Sequence, residues 1–256
     1  MKRIVALAMT ATLAFVGIAL PAENVPAAVG AQAYTFIGYG FGDDFTSNYL
    51  ANRFYITGSG ERTLLVGKTA KLKLSRSVAG VKWKSSKPKV ASVSTSGKAL
   101  AKKPGLATIT AYNPTTGFSA TCTVGVYRKV TQAQARKKIL ALKASYPEGL
   151  SWNDDNRHYD WRAARTSCYG CAAFAGIVSD KAFGKYAPFK KHANFSKVKV
   201  GDSIRIGNWH SVIVLGKSAD AITICEGNYN GRVHWGDTLS RSYLEGEGFQ
   251  VWTRYR

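Results

Sequence analysis

The sequence is short of acidic residues and, beyond its N-terminus, of long apolar runs. It holds 15 Asp and Glu residues against 36 Lys and Arg residues among 256, which gives a formal net charge of +21. Such an excess favours polyanions or anionic surfaces as partners, although the sign of the charge does not name one. With 45% hydrophobic and 20% charged residues, a disordered or low-complexity chain is excluded and globular structure is expected.

Cysteine is also scarce, with four residues at positions 122, 168, 171 and 225. Four cysteines are too few for a disulfide-stabilised scaffold in a chain of this length. Cys122 lies in an alternating run typical of a strand, where we expect a small buried residue. Cys168 and Cys171 form a C-x-x-C pair, a spacing found in redox and metal sites as well as next to nucleophiles.

The one long apolar run covers residues 4–20 and follows two basic residues. With the small-residue stretch that ends at Ala33, it predicts a secretory signal peptide over residues 1–33, with Ala22 as the alternative cleavage site. An uncleaved anchor is the other interpretation, because the run is at the short limit for a membrane span. We expect export without a stable membrane span, so the basic charge is expected to meet envelope polymers and not nucleic acid.

Residues 61–127 are the most basic segment and have the pattern of a small β-sandwich. They hold twelve Lys and Arg residues and one acid, Glu61. Short alternating runs separated by Ser, Lys, Pro and Gly turns are typical of sandwich strands. The stretch W-K-S-S-K-P-K-V-A-S-V, from Trp83 to Val93, resembles bacterial immunoglobulin-like domains of secreted surface proteins. This resemblance implies a non-catalytic adhesion or spacer module, preceded by an N-terminal extension over residues 34–60.

The pattern changes in residues 128–256. Residues 131–143 are rich in Ala, lack Gly and Pro and begin with a Thr cap, which predicts a helix. A second helical run covers residues 171–178, and strand-like runs follow at 203–206, 211–215, 221–225 and 232–235. Helices followed by strands predict an α+β domain. The predicted fold class is therefore multidomain, with an all-β immunoglobulin-like sandwich followed by an α+β domain.

The second predicted helix begins with Cys171, which has the position expected of a cysteine nucleophile. A helix N-terminus favours a thiolate, and the backbone N–H of Cys171 suits an oxyanion. Such a nucleophile needs a base and a group that orients the base. His210, at the start of a strand, is the candidate base. Glu226 and Asn228 are two residues apart on the next strand and are expected to share a face, from which they orient His210.

Three segments, G-C-A-A-F-A at Cys171, W-H-S-V-I-V-L at His210 and C-E-G-N-Y-N at Glu226, resemble those of cysteine, histidine-dependent amidohydrolase/peptidase (CHAP) domains. These domains are relatives of the NlpC-like and papain-like folds, and the resemblance covers about residues 167–235. It implies a papain-like cysteine hydrolase that cleaves amide bonds of peptidoglycan, as an amidase or an endopeptidase, without a metal or cofactor. It also implies that Cys171 is the nucleophile, His210 the base, and Glu226 and Asn228 the acidic and amide positions.

Other interpretations of the same residues remain open. Cys168 and Cys171 before a helix also suit a secreted thiol–disulfide oxidoreductase, although no strand is predicted directly before the pair. A zinc site is a further possibility by ligand type, from Cys168, Cys171, His210 and Cys225. The third alternative is a surface adhesin or spacer whose C-terminal domain is catalytically inactive.

The remaining histidines are His158, His192 and His234. They lie in polar or Lys-rich stretches and are expected to be exposed, with His234 as the reserve base. Taken together, the patterns predict a secreted, wall-associated protein. Its predicted partners are peptidoglycan and, through the basic segment, anionic wall polymers.

Overall fold

The computed structural model describes residues 53–255, except Ser59 and Asn156. The signal peptide predicted for residues 1–33 and most of the extension predicted for residues 34–60 lie outside the described residues. In the part of the chain that is described, no helix is both long and apolar enough to cross a membrane.

The first module consists of seven strands in two sheets. The strands are β1 Glu61–Leu65, β2 Thr69–Lys71, β3 Lys82–Ser85, β4 Ala91–Val93, β5 Lys98–Ala101, β6 Gly105–Tyr112 and β7 Ser119–Tyr127. The sheet orders are β1-β7-β6-β3 and β2-β5-β4. In β5 the side chains alternate, so that Ala99 and Ala101 enter the core while Lys98 is exposed. The β-sandwich predicted for this segment is confirmed.

The core of this module includes residues that precede β1. Phe54 and Ile56 are buried in the same cluster as Val124 and Cys122, and Ile56 pairs with Leu74 through an isolated bridge. The core therefore begins within the segment that was predicted to be an extension. Cys122 is only 2% exposed, as predicted, and burial raises the pKa of its thiol.

A capped helix opens the second part of the described chain. Helix α1 is Gln132–Leu140. The hydroxyl of Thr131 accepts a hydrogen bond from the Gln134 N–H at 3.2 Å, and the Gln134 side chain accepts one from the Thr131 N–H at 3.0 Å. This reciprocal capping satisfies two of the N–H groups that a helix start leaves free. The predicted helix is confirmed, although its last residues, 141–144, form a 3-10 turn.

The other elements are a hairpin, two helices and an antiparallel sheet. They are β8 His158–Trp161, β9 Thr166–Tyr169, α2 Gly170–Phe183, β10 Lys190–His192, β11 Ser203–Ile206, β12 His210–Lys217, β13 Ala221–Tyr229, β14 Arg232–Ser240, α3 Arg241–Glu247 and β15 Phe249–Thr253. The hairpin joins β8 and β9, and the sheet order is β10-β15-β11-β12-β13-β14. The four strands predicted in this region are present, three of them longer than predicted.

Both faces of this sheet are covered at its centre. Strand β12 is buried over its first six residues. One face places Ile213 and Cys225 in a cluster with Phe174 of α2, and the other places Val212 and Ile224 in a cluster with a residue of α3. Continuous burial explains why β12 reads as an apolar run in the sequence. It also gives the residue at the start of β12 a rigid support.

A buried ion pair connects the C-terminal residues to α2. The side chains of Arg254 and Asp180 are 1% and 2% exposed, and Nη2 lies 2.5 Å from Oδ1. The Tyr159 hydroxyl donates to the same carboxylate at 2.8 Å. Burial raises the pKa of Tyr159, and the hydrogen bond to Asp180 adds to this shift. Because a buried charge is costly without its partner, this cluster fixes α2 against the chain that follows β15.

Candidate active site

Cys171 lies in the first turn of α2, directly after a residue with a left-handed backbone. Gly170 has φ +47°, and a Cβ at this position would lie 2.0 Å from Oδ1 of Asp154 and 2.6 Å from Nδ2 of Asn228. Only glycine fits such a position. The indole N–H of Trp152 donates to the Gly170 carbonyl at 2.8 Å. The loop before β8, for which no role was predicted, thus fixes the position of the helix start.

The N-terminus of α2 has no side-chain cap. Tyr169, the N-cap residue, is extended and makes no capping hydrogen bond through its side chain. The N–H groups of the first turn have no partner within a helix, and the helix dipole is positive at this end. This helix end favours both a thiolate on Cys171 and an oxyanion at its backbone N–H.

His210 and Glu226 form a buried pair in the same site. They are 6% and 4% exposed, and Nε2 of the imidazole is hydrogen bonded to Oε2 of Glu226. Glu226 lies opposite Val212 in the β12–β13 ladder, so that it is diagonal to His210. The carboxylate occupies one ring nitrogen and leaves the other free for a second partner. Two of the predicted site residues are therefore brought together.

Cys171 is the second group coupled to His210. Its thiol lies 3.9 Å from the carbonyl oxygen of Trp209, the residue before His210, and the pKa shifts of Cys171 and His210 each depend on the other residue. Burial raises the pKa of this thiol, but the hydrogen bond and charge of His210, the Ser211 N–H and the charge of Arg205 outweigh it, so that the pKa is lowered. Burial lowers the pKa of His210, whereas Cys171 and Glu226 raise it, and the result is about 9. Both shifts favour the thiolate–imidazolium pair over the neutral pair.

Arg205 is a further residue of the site, and it was not predicted. Its Nη1 lies 3.9 Å from Sγ of Cys171 and donates to Oγ of Ser211 at 3.1 Å. Its Nη2 donates to the Asn208 carbonyl. The guanidinium therefore holds the loop that leads to His210 and places a fixed positive charge beside the thiol. In the sequence, Arg205 has the pattern of a solvent-facing residue in an alternating strand, so no signal distinguished it.

We expect the Arg205→Met variant to slow alkylation of Cys171 by iodoacetamide at neutral pH. Without the cation the pKa of the thiol rises, and at pH values below that pKa a rise of half a unit to one unit lowers the thiolate fraction about three- to tenfold. The rate is measured against pH, with the labelled peptide identified by mass spectrometry. Arg205→Lys keeps the charge and should recover most of the rate. An unchanged pH profile in the Met variant would show that Arg205 has no electrostatic role.

Asn228 is not a partner of His210 in this structure. The register between β13 and β14 shifts between Glu226 and Tyr229, and Asn228 has φ +63°. This irregularity breaks the period of two on which its predicted position rested. Its amide nitrogen lies beside Gly170 instead, and no described hydrogen bond joins it to the imidazole. The structure therefore places Asn228 at the start of α2 and not beside His210, which corrects the prediction that Asn228 orients His210.

Cys168 does not face its C-x-x-C partner as a redox pair would. All four cysteines are free thiols, and the Cys168 thiol donates to the Tyr159 carbonyl at 3.1 Å. Burial raises the pKa of Cys168, with contributions from nearby carboxylates, to about 11. Strand β9 runs directly into α2, so the prediction that no strand leads into the helix is wrong. The protonated thiol nevertheless counts against a redox role.

The residues considered for zinc do not come together either. Cys225 is fully buried in the core beneath α2, and burial raises the pKa of its thiol well above the usual value. Zinc takes deprotonated thiolates as ligands. Among the described residues, no group of three or more His, Cys, Asp and Glu side chains is placed to hold a metal ion.

The other histidines differ in exposure. His158 is exposed, as expected, whereas His192 and His234 are half-buried. Nδ1 of His234 lies 2.8 Å from Oε1 of Glu148, and no described contact joins His234 to Cys171. The described contacts therefore do not favour His234 as the reserve base.

Comparisons with known proteins bear on the first module. Residues 56–124 match the family model described as bacterial Ig-like domain (group 2). One similar solved structure is a C-terminal 282-residue fragment of intimin in complex with the intimin-binding domain of the translocated intimin receptor. Its sequence is 16% identical to this chain and the TM-score is 0.24. The match covers 79% of this chain and 64% of the fragment. An intimin mutant from EHEC O157:H7 is also 16% identical, with a TM-score of 0.25. This match covers 74% of this chain and 90% of the mutant chain. No curated protein matches the chain.

TM-scores of this size do not indicate a shared arrangement of the whole chain, and the chain spans less than two thirds of the intimin fragment. None of these matches is to a cysteine hydrolase, so that resemblance stays a prediction. The family match begins at Ile56, a buried residue of the first core. Residues 56–124 therefore match the model of group 2 bacterial Ig-like domains, in line with the β-sandwich of this module.

Proposed function

We propose that the chain is a cell-envelope cysteine hydrolase that cleaves an amide bond of peptidoglycan. The observation that carries the proposal is the position of the Cys171 thiol, which lies at an uncapped helix start beside the Trp209 carbonyl, next in the chain to the buried pair of His210 and Glu226. These three groups supply a nucleophile, a proton carrier and a group that orients the carrier. A papain-like fold for this part of the chain belongs to the same proposal.

The reaction follows from the protonation states of the pair. The thiolate of Cys171 attacks the amide carbonyl carbon, and the resulting oxyanion faces the backbone N–H of Cys171. Collapse of this intermediate breaks the C–N bond, and the His210 imidazolium protonates the leaving amine. The neutral imidazole then takes a proton from water as the water attacks the thioester. This step releases the carboxylic acid product and restores the Cys171 thiolate and the His210 imidazolium. Glu226 holds the imidazole in one orientation throughout.

Exposed aromatic side chains border the site and support a polymeric substrate. Trp209 is 54% exposed and stacks on the His210 ring at 5.3 Å between ring centres. Tyr169 directly precedes Gly170 and is 55% exposed. Such rings offer flat apolar faces to a ligand. An open rim of this kind suits a long substrate that lies across the thiol.

The Ig-like module supports the proposed location. Group 2 bacterial Ig-like domains occur in extracellular surface proteins of bacteria. A module without a candidate catalytic group of its own serves to place the hydrolase near its substrate. Secretion, and cleavage of the signal segment after Ala33 or after Ala22, remain part of this proposal.

Digestion of purified peptidoglycan tests the proposal. We expect the intact protein to release new amine groups without new reducing ends, because an amide bond and not a glycosidic bond is cut. Mass analysis of the fragments then distinguishes an amidase, which separates glycan from peptide, from an endopeptidase. Heat-denatured protein is the control. Binding to the wall without any new amine would contradict the proposal.

A non-catalytic surface adhesin or spacer is the second candidate, and the family match of residues 56–124 favours it. In that case the second part of the chain has no hydrolytic activity. It predicts wall binding that is identical with and without the Cys171 thiol, and no amine release from any peptidoglycan.

A further inference from the structure

A groove on the Ig-like module combines three cations and is lined by no acidic residue. Its volume is about 430 Å³, and Lys71, Lys73 and Arg76 line it. All three side chains are exposed. The sequence from residue 62 to residue 127 contains no Asp or Glu, so that Glu61, at the start of β1, is the one acid among the strands of this module. No described ion pair joins Lys71, Lys73 or Arg76 to a carboxylate. Uncompensated cations around one concave surface form an anion site by Coulomb attraction.

The sheet also places a further cation, Lys98, next to Lys71 of the groove. Lys71 lies directly opposite Lys98 in the β2–β5 ladder, and both are exposed. Like charges opposite each other destabilise a sheet. The ammonium of Lys71 donates to the Ser96 carbonyl, which keeps this charge at the edge of the groove. A bound anion would remove the repulsion.

The remainder of the lining is apolar or carries hydroxyl groups. Ser77 and Thr95 are exposed and line the groove together with Trp83. Trp83 is half-buried, and a Cβ on Gly97 would lie 2.8 Å from its Cζ2, so that the ring packs on the backbone there. Single-stranded nucleic acids bind by stacking bases on free aromatic faces. This packed ring favours an anionic chain without bases.

We infer that this groove binds a phosphodiester-linked polyol chain. Lys71, Lys73 and Arg76 pair with successive phosphates, since Lys and Arg are both phosphate ligands. The hydroxyl groups of Ser77 and Thr95 form hydrogen bonds with the hydroxyl groups of the polyol, and the Trp83 side chain packs against its carbon chain. This inference extends the proposed envelope location to a defined site, and it does not require Cys171 to be a nucleophile.

Binding of labelled poly(glycerol phosphate) to the full chain tests the inference, with Cys171→Ala present in every variant so that hydrolysis plays no part. The groove variant combines Lys71→Gln, Lys73→Gln and Arg76→Gln. The matched control combines Lys87→Gln, Lys89→Gln and Lys103→Gln, which removes the same charge from exposed residues that do not line the groove. Thermal unfolding of both variants checks that each is folded.

We expect the groove variant to bind about tenfold or more weakly, with the slope of log Kd against log salt reduced by up to about 3, one for each lost phosphate contact. The control should stay within about threefold of the parent. If both triple variants weakened polymer binding equally, the binding would depend on the overall charge of the module, and the proposed site would be overturned. Tighter binding of single-stranded DNA of equal charge would overturn the choice of ligand. Absence of polymer binding at low salt would overturn the inference as a whole.

Discussion

A Cys171→Ala variant should release amines from peptidoglycan at least about 10⁴-fold more slowly than the parent protein, because without the nucleophile no thioester forms and only oxyanion and binding effects remain. The side chain is buried at a helix start but belongs to none of the described core clusters, so removal of its sulfur leaves those clusters in place. The rate is measured by amine labelling, and the thermal unfolding midpoint shows that the variant is folded. Full activity of this variant would remove Cys171 from the mechanism.

The matched control for this experiment is Cys168→Ala, three residues away. Its thiol donates to a backbone carbonyl and has a pKa of about 11, so we expect hydrolysis to be unchanged within about twofold. In a thiol–disulfide oxidoreductase both cysteines are needed. Insulin-disulfide reduction that depends equally on Cys168 and Cys171, with no amine release, would decide for that alternative.

The second large effect is expected for Glu226→Gln. The amide keeps the shape of the side chain but removes the charge that raises the pKa of His210. It can also hold the imidazole in the wrong tautomer, since an amide donates as well as accepts. We expect kcat to fall about 10²- to 10⁴-fold, the range in which loss of an orienting carboxylate acts.

The pH profile separates this role from a structural one. In the parent protein, activity should fall as the pH rises through about 9, where the His210 imidazolium loses its proton. In Glu226→Gln this limb should move to lower pH, because the His210 pKa drops. Glu148→Gln is the matched control, since Glu148 pairs with His234, and its profile should be unchanged. A Glu226→Gln profile with the same upper limb would contradict the electrostatic role.

Local signals in the sequence predicted three of the four named site residues in their observed relation. Cys171 stands at a helix start and His210 at a strand start, and both positions follow from residue patterns close in the chain. Glu226 follows from the alternation of the next strand. The irregular register after Glu226 turned Asn228 away from the imidazole, and no single residue in the sequence marks such an irregularity.

Residues whose role depends on neighbouring strands were not predictable in this way. Arg205 acts because β11 pairs with β12 and brings its guanidinium next to the thiol, a relation between strands that one strand's pattern does not contain. Trp152 supports Gly170 from a loop without periodicity. Phe54 and Ile56 enter the first core through a single bridge, which is too short to give an alternating pattern.

The orientation of Cys168 has a consequence for the lifetime of the protein under oxidising conditions. A low-pKa thiolate is the form of cysteine that peroxide converts to sulfenic acid, and a nearby second thiol normally traps this product as a disulfide. Here the neighbouring thiol is protonated and bonded to the Tyr159 carbonyl. We therefore expect Cys168 to trap an oxidised Cys171 slowly, so that the sulfenic acid of the proposed nucleophile persists until an external thiol reduces it.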